Sequence, residues 1–261
     1  MKTLISSEQT LTTARESGLT DTDLQLNGMA VLTFSKTIVE RIHELCKLQD
    51  AQWIKPMHHP YAGCDFVKRG IFEEWEITVL MPPMGASPMS CVLEDLAACG
   101  VKTIFLACAS WSLGEPVEMG DLIIPSYSVG LDGTSSHYGN TEGEVRADPD
   151  VVEALKAACD SLGVRYHMGG NASCEALYRI TPTMVEDFRA QGCLCMENGE
   201  ASTLIAVTRS LGIYGGVIFQ PYIDLTKGWD PSMLRDQRYR AACRKQAEVV
   251  LRAGRTLLGE R

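Results

Sequence analysis

The chain has 261 residues, 45% hydrophobic and 22% charged, which suits a soluble globular enzyme able to bury one large core without staples. Its net charge of −9 excludes the basic footprint of a nucleic-acid or anionic-membrane binder. No apolar run approaches the roughly 20 residues of a spanning helix, and the N-terminus MKTLISSEQT lacks the apolar stretch of a signal peptide, so a cytoplasmic protein is expected.

In chain order, MAVLTF (29–34) reads as a strand and SKTIVERIHELC (35–46) as a helix with a Ser cap. EITVLM (76–81) is a second strand, running through PPMGA into the helix SPMSCVLEDLAACG (87–100). There Ser87 suits the cap, Pro88 the first helical position and Gly100 the stop. TIFLAC (103–108) and DLIIPSYSV (121–129) are strands, the first ending in a turn of small residues, Ala107 to Ser110. A helix follows from Asp148 to Gly163, then strand RYHMGG (165–170), helix TMVEDFRAQ (183–191) and strand CLCM (193–196). Helix GEASTLIAVTRSL (199–211) and strand YGGVIF (214–219) precede a long, amphipathic, basic-rich helix from Pro231 onward.

This alternation predicts one three-layer α/β domain over residues 1–261, with a mixed, largely parallel sheet flanked by helices. Ligands of such sheets sit beyond the carboxyl ends of the strands. That places PPMGASP, ACASWS, GLDGTSSHY, NASCE and FQPYI, which carries Gln220, on one rim. The ten cysteines lie mostly in apolar runs, and no Cys/His grouping has zinc spacing. Reduced buried thiols are expected, with no metal and no cofactor.

Together the rim segments resemble the nucleoside phosphorylase superfamily, and most of all uridine phosphorylase. LTDTDLQLNGMAVL (19–32) is similar to the family's entry segment and PMGASPMSCVLEDLAACG to its Gly-rich turn and helix. SVGLDGTSSHY (128–138), NASCEALY and NGEASTL (198–204) resemble three further motifs in the family's order. The resemblance implies a phosphorylase-like fold, a nucleoside-like small-molecule ligand, and ribose, base and phosphate pockets on one rim. It also implies homodimers, assembled into larger rings such as hexamers.

Carried over position by position, the resemblance gives a damaged phosphate pocket. Ala107 stands where the family has an Arg, and Phe34 and Ile38 stand where its first-strand turn has a Gly and an Arg. A guanidinium is suited to that task because its fork binds phosphate oxygens in pairs. Ser110 keeps the family's hydroxyl, Arg69 matches an Arg lent by a neighbouring subunit, and Lys36 offers a substitute charge. On the ribose side Glu200 matches the Glu that accepts from the sugar diol, Ser110 is a further ribose candidate, and Glu16 aligns with a His reaching across a dimer interface. A helix-N-terminal acid is the ordinary reading of a residue such as Glu200, and its spacing within the matched motif favours the ribose role.

The base side is rebuilt. Leu177 replaces a Phe, Tyr178 is kept, Thr181 and Thr183 stand for the uracil-reading Gln and Arg, and Asn198 replaces the first Glu of the ribose motif. Gln220 completes the base-side candidates. Glu175 is the candidate general acid toward the base and His137 a second catalytic candidate, though each also suits an ordinary loop residue. Three functions stay open. One is an N-ribosyl-cleaving enzyme using water or another acceptor. The others are a phosphorylase with a rebuilt phosphate site, and a non-catalytic nucleoside-binding homologue or partner subunit.

Overall fold

The structure, a computed structural model, describes residues 3–259. Helices α1 (Ser7–Glu16) and α2 (Asp21–Leu24) precede strand β1 (Met29–Leu32). Next come α3 (Lys36–Cys46), β2 (Gln49–Asp50), β3 (Val67–Phe72), β4 (Trp75–Leu80), α4 (Ala86–Ala98) and β5 (Thr103–Ser112). Strands β6 (Leu122–Gly130) and β7 (Glu144–Arg146) lead to α5 (Pro149–Ser161), β8 (Tyr166–Ser173), α6 (Pro182–Ala190) and β9 (Cys193–Glu197). The chain continues through α7 (Glu200–Leu211), β10 (Tyr214–Asp224) and α8 (Gln237–Gly259).

The strands form one mixed sheet in the order β10-β6-β8-β9-β5-β1-β4-β3-β2. Its longest registers, β5 with β10 and β6 with β8, are parallel. Alternation along β1 shows why it is buried on both sides. Ala30 and Leu32 join the cluster formed with α4 and α7, whereas Met29 and Val31 join the one formed with α3, α5 and α8. Those two clusters are the two interlayer cores. No helix among the described residues is long and apolar enough to cross a membrane.

Two features of the sheet create the site. First, β10 also pairs with β5, so β5, β10, β6, β8 and β9 close into a ring. Second, one edge of β5 changes partner. Thr103–Leu106 pair with β1, whereas Trp111 and Ser112 pair with β9. Ala107–Ser110 between them have β10 on one side and no strand on the other.

This corrects the expected turn: Ala107–Ser110 are mid-strand, because β10 continues alongside them to Asp224. Two other rim segments begin in longer strands than expected, β6 reaching Gly130 and β8 Ser173. The last helix begins at Gln237 instead of Pro231, after a 3₁₀ turn at Pro231–Arg235. Ser87 does not cap α4. The cap is Gly85 with φ 103°, and side chains from elsewhere meet the first amides. Helix α1 and strand β3 were not anticipated. The former is polar around most of its circumference and buries only Ala14. In the latter, Lys68, Arg69 and Gly70 interrupt the apolar pattern.

Candidate functional site

A cavity of about 320 Å³ opens where β5 leaves β1. Strand β5 supplies Cys108, Ala109, Ser110 and Trp111, and the turn between β1 and α3 supplies Phe34 and Ser35. From β9 and the turn after it come Met196, Glu197 and Asn198, followed by Glu200 at the start of α7. Tyr222 of β10 and Tyr239 of α8 contribute rings, and Leu234 and Met84 stand at the exposed side.

Two acids dominate its polar wall. Glu200 is 4% exposed, and its Oε1 accepts the Gly85 amide at 2.9 Å, so it serves the otherwise uncapped α4. Glu197 is 5% exposed. Its Oε2 accepts the Glu200 amide at 2.8 Å and the Ala201 amide at 3.3 Å, which caps α7. Its Oε1 accepts from Asn171 Nδ2 at 3.1 Å and from the Ser173 hydroxyl. Burial, and after it the neighbouring Glu200 carboxylate, push the Glu197 carboxyl well above the usual range, against the Ser173 and Asn171 bonds. The pair therefore resists holding two negative charges.

The apolar wall is ordered as well. Trp111 Nε1 donates to the Tyr222 hydroxyl at 2.7 Å, which fixes both rings. The Cys108 thiol is buried and pushed well above its ordinary value, first by burial and then by Glu200, so it is no nucleophile at neutral pH. The buried Ser110 hydroxyl has no hydrogen-bond partner of normal geometry and lies against the Cys195 thiol. Asp132 of the DGTSSHY segment accepts from the Ser135 amide and from the Ser202 and Thr203 hydroxyls, which ties that loop to α7.

Among the sequence candidates the structure brings together Ser110, Asn198 and Glu200, with Phe34 beside them. Ala107 lies in the opposite core cluster, because alternation along β5 turns it away from the Cys108 side. Glu175 is exposed, outside the lining, and accepts the Ala86 amide at 3.2 Å beside the Gly199 turn. His137 is exposed on a 3₁₀ turn, Tyr178 is 97% exposed, and Leu177 is half-buried in the α6-side cluster. Thr181 caps α6, and Thr183 lies within that helix, exposed. Gln220 faces α8, where its Nε2 contacts Cys243 Sγ at 2.7 Å.

The candidate cations are spent or solvated. Arg69 donates to the carbonyls of Thr22 and Gln25 at 3.1 and 3.2 Å and pairs with Glu76 at 3.3 Å. Lys36 is exposed, one residue beyond the lining, and Glu16 is exposed at the end of α1. Among the described residues no Arg, Lys or His lines the cavity, and no group of His, Cys, Asp and Glu could hold a metal ion. Sequence reasoning missed Glu197, although a second acid sits just before Asn198 at the carboxyl end of a strand. It also missed Tyr222 and Tyr239, for which no local signal existed.

The fold agrees with the comparisons. The chain belongs to the phosphorylase superfamily, which it matches over residues 29–254. It is similar to uridine phosphorylase of Thermococcus kodakarensis, 29% identical over 192 residues, covering 69% of this chain and 68% of that one. To uridine phosphorylase of Salmonella typhimurium it is 25% identical over 260 residues, 92% and 96% of the two chains. The fold also matches the structure of purine nucleoside phosphorylase from Toxoplasma gondii in complex with immucillin-H, with TM-score 0.79, 18% identity and full coverage of both chains.

Proposed function

We propose that this protein cleaves the N-ribosyl bond of a nucleoside or nucleoside-like compound without orthophosphate as the nucleophile. The relatives support the bond type, since those compared carry the names uridine phosphorylase and purine nucleoside phosphorylase. One observation carries the departure from phosphate: the cavity that collects Ser110 and Glu200 has two acids in its wall and, among the described residues, no Arg, Lys or His. Each Arg contact to an anion is worth about 1.5–3 kcal/mol, so the loss of two weakens phosphate binding by two to four decades. The Phe34 ring at the mouth of β1 adds an apolar face where an anion would be desolvated without compensation.

In this reading Glu200 accepts hydrogen bonds from the 2′,3′-diol, a task suited to a carboxylate because both hydroxyls donate to it. Its position is set by the Gly85 amide on one side and by the α7 cap on the other. Positive charge grows on the sugar as the bond to the base lengthens, and the buried acids favour that charge through a medium that screens poorly. Tyr222, Tyr239 and Trp111 bound the space with aromatic rings. Incubation with a nucleoside panel, with and without phosphate, tests the reading. Free base and free ribose, equal in both conditions, are expected. Phosphate-dependent release of ribose 1-phosphate with a submillimolar phosphate requirement would overturn it.

A further inference from the structure

The cavity is acidic and aromatic at once. Glu197 and Glu200 lie in its wall, with the rings of Phe34, Trp111, Tyr222 and Tyr239 around them. The groups that hold the two acids are the Gly85, Glu200 and Ala201 amides, Asn171 and Ser173. All are uncharged groups, the amides adding the partial positive charge of the α4 and α7 N-termini, and among the described residues no Arg, Lys or His lines the wall. Aromatic faces attract cations through their quadrupoles, most strongly where water is excluded. Both features of the wall therefore select the same kind of guest.

We infer that the substrate of this cavity is a nucleoside whose base is a cationic aromatic ring, of the N-ribosylpyridinium or N-alkylated azole class. This rests on the N-ribosyl-cleaving reading and narrows it. The reaction balances without a further reagent. The C1′–N bond breaks, its electron pair passes to the ring nitrogen and cancels the ring's positive charge, and the base leaves neutral. Water bonds to C1′ through its oxygen and gives up one proton to solvent. A leaving group of this kind needs no protonation, which fits a site whose expected general acid, Glu175, is exposed and outside the lining. The guest's charge also relieves the repulsion between Glu197 and Glu200, so a proton held by the pair is released on binding.

The probes are N-ribosylnicotinamide, its uncharged 1,4-dihydro form, and uridine. Each is titrated by calorimetry into the wild-type chain and Glu197→Gln in two buffers of different ionisation heat, and release of free base is followed separately. The cation is expected to bind at least tenfold more tightly than the dihydro form, with proton release, and to lose its base in water. The preference is expected to shrink at least threefold in Glu197→Gln. Should that variant fail to fold, the wild-type ratio and the buffer dependence decide. Equal or tighter binding of the dihydro form or of uridine overturns the charge assignment. If uridine is also cleaved by water, the ribosyl-cleaving reading stands alone. Absence of both binding and cleavage for all three probes overturns both.

Discussion

Replacing Glu200 with Gln separates the two tasks the structure gives this residue. One is internal: Oε1 accepts the Gly85 amide at 2.9 Å. The amide oxygen of Gln can take that bond, so the start of α4 keeps its acceptor. The Glu200 charge, which after burial is the largest influence raising the Glu197 carboxyl, disappears. The variant is therefore expected to melt no lower than the wild type. The other task is external, acceptance from a sugar diol. Charge-assisted bonds contribute about 1.5–3 kcal/mol against roughly 0.5–1.5 for neutral ones. Losing charge assistance across two hydroxyls is then expected to cost about 1.5–3 kcal/mol, or roughly 10- to 150-fold in affinity. Calorimetry with a ribonucleoside and its 2′,3′-dideoxy analogue, on wild type and Glu200→Gln, reads this directly. The ribonucleoside should weaken by that factor and the dideoxy analogue by much less. Equal losses for both ligands, or none, would mean that Glu200 only ends a helix and that the ribose lies elsewhere.

Asp95, buried on α4, is pushed up to about 6 from 3.8 by burial. The folded chain thus binds its proton more tightly than the unfolded one, so its contribution to stability is full below pH 3.8 and is lost as pH rises through about 6. The loss is about 3 kcal/mol, and Asp95→Asn should flatten urea midpoints across that window; an unchanged pH slope would refute it. Gly199→Ala places a Cβ at φ 103°, 3.3 Å from the Cβ atoms of Ala86 and Asp132 and 2.9 Å from Glu175 Cγ. A destabilisation of about 1–3 kcal/mol is expected, and a denaturant midpoint equal to wild type would show that the turn has room. Sedimentation at micromolar concentration should give a dimer or larger species. A monomer would remove any role for Arg69 or Glu16 in a neighbour's site.

The layered fold was legible because its central strands are apolar on both faces, as in MAVL, and its helices carry local stops such as Gly212, whose φ is 67°. Ala107–Ser110 were misread as a turn because small residues mark turns locally. What keeps them extended is the distant pairing with Ile218–Pro221. Glu200 was legible from a motif. Glu197 was not, since an acid on a strand end gains meaning only through the burial and the partners that the fold supplies. Helix α1 gave no periodic signal because only Ala14 is buried, with Leu11 packed partly buried against the core. Tyr239 reaches the cavity from α8, far along the chain, and nothing near it in sequence announces that reach.

The parting of β5 from β1 has a consequence for how such a site changes over time. Where strands pair on both sides, a substitution that bends the backbone breaks a ladder and is lost with the fold. Along Ala107–Ser110 one edge has no ladder to break, and the other is held by β10 within a closed ring. Side chains facing the gap can therefore turn over while the scaffold stays intact. A pocket placed there can exchange one chemistry for another by small steps, each leaving a folded protein on which selection continues to act.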